Sequence, residues 1–186
     1  MNVVKTDIPD LVIIEPKVFE DDHGYFFESY HEGKLIQQGI KTTFIQDNQS
    51  KSSYGVIRGL HYQLDPHAQT KLVRVLEGVI YDVVVDVRKG SPTFGKWFGI
   101  ELSGLNKKQL YVPQGFAHGF SVLSETAVVF YKCDNLYNPS CEGGVLYNDP
   151  DLDIDWRVDP DKAVLSPKDL ALPLLKNANL NFIFAS

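Results

Sequence analysis

Cysteine is scarce in this chain of 186 residues, which contains only Cys133 and Cys141. Their spacing fits neither a CxxC motif nor a disulfide framework, so we expect both to be small packing residues. The N-terminus, MNVVKTDIPDLVII, lacks the charged start and the continuous apolar run of a signal peptide. A reduced, cytoplasmic protein is therefore the expected class.

Basic residues are also few, because 18 Lys and Arg face 24 Asp and Glu and the net charge is −6 without any basic tract. This balance argues against nonspecific binding to nucleic acid, although a local cluster could hold a small anion. Asp82 and Asp86 interrupt the longest apolar stretch, so no membrane span is expected. A glycine-rich dinucleotide fingerprint and a P-loop are absent too, and we expect neither nicotinamide nor ATP as a cofactor.

Alternation of apolar and polar residues dominates the chain, whereas helical patterning is weak. Turn signals such as DDHG and RKGSPTFG separate the apolar runs, and EGKLIQQG and SPKDLALPLL are the candidate helices. The pattern predicts one all-β domain over residues 1–186, a jelly-roll β-barrel or sandwich with a few short helices. The candidate strands are 11–14, 25–29, 43–46, 56–63, 71–77, 79–87, 97–102, 109–112, 118–122 and 127–133.

Polar side chains interrupt the most strand-like segment, GVIRGLHYQ, which carries Arg58, His61 and Gln63. In a regular strand Arg58 and His61 would point to opposite faces, but a bulge at Gly59 would turn both into one cavity. Each polar position has an ordinary explanation alone, such as a core histidine or a strand-edge lysine. Taken together with Lys71, Tyr131 and the segments QDNQS and LSPKD, they fit the polar lining of a barrel cavity better.

Two sequence fragments resemble the metal-binding motifs of cupin barrels. The first would be G-x5-H-x-H, but here Gly55 and His61 are followed by Gln63; the second, P-x-G-x2-H, is matched by the segment that ends in His118. Gln is a poor ligand for zinc or iron, and His67 is the best spare candidate for a third ligand. We therefore predict a cupin-like barrel that holds no metal.

Without a metal, the candidate residues can carry acid–base chemistry. His61 is a natural base near neutral pH, and a buried carboxylate on its second nitrogen would stabilise the imidazolium. Tyr131 can donate a proton, and Lys71 can stabilise an oxyanion. A base, an acid and a cation around one cavity suit proton abstraction beside a carbonyl, and proton return on the other face gives an epimerase.

Long motifs in the same order resemble the dTDP-4-dehydrorhamnose 3,5-epimerase family over nearly the whole chain. They are FIQDNQSKSSYGVIRGLHYQ, KLVRVLEGVIYDVVVDVRKGSPTFGKW, VPQGFAHGF, LSETAVVFYKCDNLYNP, DPDLDIDW and LSPKD. The resemblance implies a cofactor-independent homodimer that acts at C3 and C5 of a dTDP-4-keto-6-deoxyhexose in dTDP-L-rhamnose synthesis. A homodimer would also protect the exposed edges of a large β-fold.

The resemblance also implies residue roles. His61 falls at the family's base, Asp169 at its dyad partner, Tyr131 at the acid and Lys71 beside the C4 oxygen. The positions that would hold the nucleotide sugar are Arg58, Gln46 and Asn48, and His118 would line the sugar pocket. Phe26 and Glu28 would reach the thymidine side from the partner subunit, with Tyr137, Glu142 and Lys168 near the nucleotide. Gln63, from the polar lining of the same strand as His61, is a further candidate for substrate binding.

One position departs from the family pattern, because DDHGYF has His23 where an arginine is expected. Histidine cannot make the forked contact of a guanidinium with a diphosphate, so we expect weaker diphosphate binding or a compensating cation. Other hypotheses stay open: a relative that epimerises one carbon only or isomerises a keto sugar, a sugar-nucleotide binding module without activity, and a metal-dependent cupin enzyme.

Overall fold

The computed structural model describes residues 1–185, which form thirteen β-strands and two short α-helices. The helices are α1 (Glu32–Gln37) and α2 (Pro167–Leu170). The strands are β1 (Asn2–Lys5), β2 (Val12–Glu15), β3 (Val18–Asp21), β4 (Gly24–Phe27), β5 (Gln46–Ser53), β6 (Ile57–Gln63), β7 (Lys71–Glu77), β8 (Val79–Asp86), β9 (Trp97–Ser103), β10 (Gln109–Val112), β11 (Phe116–Val122), β12 (Thr126–Cys133) and β13 (Glu142–Gly144).

Two antiparallel sheets form the body of the fold. The larger has the order β1-β2-β10-β7-β12-β5, the smaller β13-β6-β11-β8-β9, and β3 and β4 form a separate hairpin. This architecture confirms the predicted all-β jelly-roll class with few helices. Among the described residues, no helix combines the length and the apolar character needed to cross a membrane.

Both faces of the smaller sheet are covered, which explains its long apolar runs. Val84 and Phe120 pack into the core between the sheets, where Val73 and Val129 of the larger sheet meet them. The outer face of the smaller sheet is covered by the C-terminal segment, in which Leu152, Trp156 and Phe182 are buried. Strand β8 is therefore buried at both alternating sets of positions rather than at one.

The outer face of the larger sheet is covered in part by α1. Leu35 of this helix packs with Ile14 and Leu72 of the sheet. The helix ends as the sequence predicts, because Gly39 adopts φ +90° and the next amide, of Ile40, donates to the Leu35 carbonyl at 2.9 Å.

One predicted strand was wrong. We expected a strand over 43–46 that ends at the turn-like segment QDNQS, but β5 begins at Gln46 and includes that segment. All four inward positions of β5 are polar, so the apolar alternation that marks other strands is missing here. β5 is instead fixed by its pairing with β12, which runs in register from Gln46 opposite Cys133 to Ser53 opposite Thr126.

Candidate active site

A bulge in β6 brings Arg58 and His61 to one cavity. His61 lies opposite His118 of β11 and Arg58 lies opposite Phe120, so β6 has one residue more than its partner between these pairs. Gly59 adopts φ +125°, and a Cβ at this residue would lie 2.5 Å from the Cα of Gly119. The bulge that the sequence predicts at this glycine is therefore present, and only glycine fits the close approach of the two strands.

The resulting cavity, here called the catalytic cavity, has a volume of about 140 Å³ and lies between the two sheets. Five predicted site residues converge on it from strands β6, β7, β11 and β12. Its lining consists of Ser50, Arg58, His61, Lys71, His118, Gly119, Phe120 and Tyr131.

His61 is held by a carboxylate from outside the sheets. The Ser166 hydroxyl caps α2 by accepting from the Asp169 amide at 3.1 Å, and Pro167 occupies the first helical position. This short helix places Asp169 Oδ1 2.6 Å from His61 Nε2, with the Asp169 side chain only 6% exposed. The pair fixes the tautomer in which Nε2 carries the proton, so the lone pair of Nδ1 is available as a base.

Burial lowers the pKa of His61, and the charge of Asp169 and its hydrogen bond act in the opposite direction. The imidazole is therefore neutral at pH 7, as a general base must be. Once it has taken a proton, the imidazolium and Asp169 form an ion pair that is shielded from water.

Lys71 and Tyr131 lie side by side on neighbouring strands. The Lys71 ammonium is 5.7 Å from the centre of the Tyr131 ring. Burial lowers the pKa of Lys71, an effect that Cys133, Asp82 and Glu142 oppose. Burial also raises the pKa of Tyr131, so its phenol keeps its proton at neutral pH and can serve as an acid.

A second histidine–carboxylate pair lies beside the first. His118 Nε2 is 2.8 Å from Asp82 Oδ1, and the two side chains are 7% and 0% exposed. The other oxygen, Oδ2, is buried and meets no hydrogen-bond partner among residues 1–185. Sequence reasoning missed Asp82 as a site residue; the available signal was a single carboxylate inside the apolar run of β8.

Further predicted residues form hydrogen bonds with one another. Gln46 donates from Nε2 to Asn48 Oδ1 at 3.1 Å on the inner face of β5. Glu142 accepts from the Tyr137 hydroxyl at 3.0 Å and from the Lys168 ammonium at 2.5 Å. Burial alone would raise the pKa of Glu142, but these two hydrogen bonds lower it overall.

A second cavity of about 400 Å³, here called the outer cavity, adjoins the catalytic cavity. Arg58 and His61 line both, so the two cavities meet at these side chains. Lys168 and Asp169 line the outer cavity as well. Together the two spaces offer room for a ligand that extends beyond a single small ring.

Gln63 is placed elsewhere. It is 6% exposed, lines neither cavity, and its Oε1 accepts from the amide of Asn138 at 2.9 Å. This contact holds the loop after β12 against β6. The predicted contact of Gln63 with a substrate has no support in this geometry.

The hairpin β3–β4 does not bring its predicted residues to the cavities. The His23 side chain is 96% exposed at the tip, Phe26 is 72% exposed, and Glu28 pairs with Lys34 at 2.7 Å. None of these three lines either cavity. The hairpin instead contacts the body through Lys107, whose ammonium lies 3.8 Å from the centre of the Tyr25 ring.

No three His, Cys, Asp or Glu side chains within residues 1–185 are grouped in a way that could hold a metal ion. His67, the spare ligand considered from the sequence, lines neither cavity.

Comparison with known proteins decides the family. A family model described as dTDP-4-dehydrorhamnose 3,5-epimerase matches residues 5–177. The chain belongs to this epimerase family. The dTDP-4-dehydrorhamnose 3,5-epimerase of Salmonella typhimurium is 53% identical to it over 181 residues, which cover 97% of this chain and 98% of the relative.

Solved structures of epimerases share the whole fold. The dTDP-4-dehydrorhamnose 3,5-epimerase of Elizabethkingia anophelis is 57% identical, with a TM-score of 0.91 over 95% of this chain and 97% of that one. The dTDP-6-deoxy-D-glucose-3,5-epimerase of Legionella pneumophila, in complex with dTDP-4-keto-L-rhamnose, is 47% identical, with a TM-score of 0.95 over 100% and 99%. These matches confirm the family and the cupin-like fold that the motifs indicate.

Proposed function

We propose that this epimerase converts dTDP-4-keto-6-deoxy-D-glucose to dTDP-4-keto-L-rhamnose by inverting C3 and C5, a step of dTDP-L-rhamnose synthesis. The proposal rests on the catalytic cavity of this chain, which belongs to the epimerase family. A neutral base, a protonated phenol and an N–H donor line this one cavity: His61, Tyr131 and Lys71.

The chemistry follows from the acidity of carbons next to a ketone. His61 Nδ1 removes the proton from C3 or C5, and Asp169 stabilises the imidazolium that forms. Lys71 donates a hydrogen bond to the C4 oxygen as it becomes an enolate. Tyr131 then returns a proton to the opposite face of the same carbon. His61 gives its proton to solvent and Tyr131 regains one, so the enzyme is unchanged after each inversion.

Binding of the nucleotide sugar falls to residues around this chemistry. We propose that Arg58, Gln46, Asn48 and His118 hold the sugar and its diphosphate. Lys168, Glu142 and Tyr137 are joined by hydrogen bonds, and we propose that they contact the nucleotide.

A homodimer would complete the site. Phe26 and His23 are exposed on a hairpin that lies away from the cavities of its own chain, and Glu28 follows directly after its second strand. We propose that the hairpin of one subunit covers the site of the other, where it would contact the thymidine side of the substrate. We also propose that the enzyme is cytoplasmic, which cell fractionation would test.

The reaction is tested with dTDP-4-keto-6-deoxyglucose and a reductase that consumes only the epimerised product together with NADPH. We expect NADPH oxidation with the wild type and none above background with His61→Ala. A wild type that supports no oxidation, while an authentic epimerase does under the same conditions, would contradict the proposal.

The dimeric site is tested by mixing two impaired variants. His61→Ala lacks the base, and Phe26→Ala lacks a hairpin contact. If each site uses the partner's hairpin, a mixed dimer has one site with both groups intact, and activity returns on subunit exchange. If the hairpin serves its own chain, mixing restores nothing.

A further inference from the structure

The inner face of β5 is polar along its whole length. Gln46, Asn48 and Ser50 are half-buried and Ser52 is 8% exposed, while the residues between them are exposed. Inward positions of a barrel strand are ordinarily apolar. Of these four, Gln46 and Asn48 have proposed roles and Ser50 lines the catalytic cavity. Only the buried polar side chain of Ser52 has no role so far.

Ser52 contacts the one arginine that lines both cavities. Its Oγ accepts from Arg58 Nε at 3.0 Å. Within residues 1–185 this is the one side-chain hydrogen bond of Arg58, and no carboxylate there lies within 4.0 Å of the guanidinium. Four N–H groups on the two terminal nitrogens are therefore left for a ligand, in the fixed fork that suits anionic oxygens.

The bond to Ser52 matters because a guanidinium is planar. A hydrogen bond at Nε fixes the direction of that nitrogen, and with it the plane in which both terminal nitrogens lie. An arginine that is oriented before the ligand arrives loses less side-chain entropy on binding.

We infer that Ser52 is a positioning residue, whose hydroxyl holds the Arg58 fork towards the anionic oxygens of the nucleotide-sugar substrate. The inference rests on the proposed function and deepens it.

A purely structural role for Ser52 predicts a different outcome. Ser52 lies opposite Ala127 of β12, which is fully buried, so its hydroxyl needs a partner in any case. If Arg58 served only to satisfy that hydroxyl, replacement of Ser52 by alanine would change stability and leave substrate binding alone.

The test compares Ser52→Ala with Ser52→Thr, which keeps the hydroxyl, and with Ser53→Ala, which alters the exposed neighbour on the opposite face. We expect Ser52→Ala to raise KM by roughly 3- to 10-fold, the range for one lost hydrogen bond, with kcat within about twofold. Ser52→Thr should stay near the wild type, and Ser53→Ala should be unchanged. A Ser52→Ala variant with wild-type KM would overturn the inference, whatever its Tm.

A second background shows whether the effect passes through Arg58. We expect Arg58→Lys to bind substrate less well, and because it has no Nε–H, Ser52→Ala should raise KM no further in that background. An equal increase in both backgrounds would mean that Ser52 acts independently, and the inference would be wrong.

Failure of the proposed function can be distinguished from failure of the inference about Ser52. If the wild type does not turn over the keto sugar, calorimetric titration with dTDP replaces the kinetics. Ser52→Ala should then raise the Kd for dTDP relative to Ser53→Ala, and equal Kd values would overturn the inference.

Discussion

Asp169→Asn removes the negative charge that lies 2.6 Å from His61 Nε2 and keeps the size of the side chain. In the free enzyme His61 is neutral, so the charge has little to stabilise. In the transition state His61 takes a proton from carbon, and the imidazolium then faces an uncharged amide instead of a carboxylate. The loss should therefore appear in kcat rather than in KM.

The magnitude follows from the burial of the pair. Asp169 is 6% and His61 31% exposed, so an intermediate effective dielectric applies. Unit charges about 4 Å apart then interact by about 4 kcal/mol, and the amide dipole of Asn restores only a part. A loss of about 3 to 4 kcal/mol corresponds to a fall in kcat of roughly 10²- to 10³-fold.

The assay follows exchange of the C3 and C5 protons with deuterium by NMR, so that it reports proton abstraction directly. Asp161→Asn is the control, since it makes the same change at an exposed position. If Asp169→Asn exchanged both protons at the wild-type rate, the dyad would not support the base and the mechanism would need revision.

Three other perturbations test separate parts of the account. Tyr131→Phe should retain some solvent exchange but lose inverted product, because the base remains and the acid is gone; normal epimerisation would remove Tyr131 from that role. Burial lowers the pKa of His61, so kcat/KM should persist at neutral pH and fall only below the ordinary imidazole value of about 6.5; a pH–rate profile with its acidic limb above that value would contradict this. Arg88→Ala leaves the fully buried Asp86 without its cation at 2.8 Å and should lower the free energy of unfolding by about 3–5 kcal/mol in urea titrations. Lys89 is the exposed neighbour of Arg88, and Lys89→Ala should change the free energy of unfolding by less than about 0.5 kcal/mol.

The sequence predicts most of the fold because most strands bury apolar side chains. Strand β8 and the strands around it follow alternation or continuous apolar runs, and their predicted bounds lie close to the observed ones. Most of strand β5 was not predicted because its inward residues are polar. One of these polar residues, Ser50, lines the catalytic cavity. Local hydrophobic pattern therefore fails where the inward face of a strand is polar.

The site was predictable where chemistry and local geometry coincide, as with His61 and the bulge at Gly59. Asp82 was not, because its partnership with His118 depends on the register between β8 and β11 and joins positions 36 residues apart. Strand β4, which carries Phe26, was predicted from the sequence, but β3 and the placement of the hairpin were not, since no local pattern tells where an exposed hairpin packs.

The most direct test of the central claim is the position of deuterium after turnover in deuterated water. The enzyme is incubated with dTDP-4-keto-6-deoxyglucose, the product is trapped by the reductase, and proton NMR locates the label. The proposed mechanism predicts deuterium at both C3 and C5 of dTDP-L-rhamnose. Deuterium at one carbon only would indicate an enzyme that inverts a single centre, and no deuterium at either would contradict the assignment of His61 and Tyr131 as base and acid.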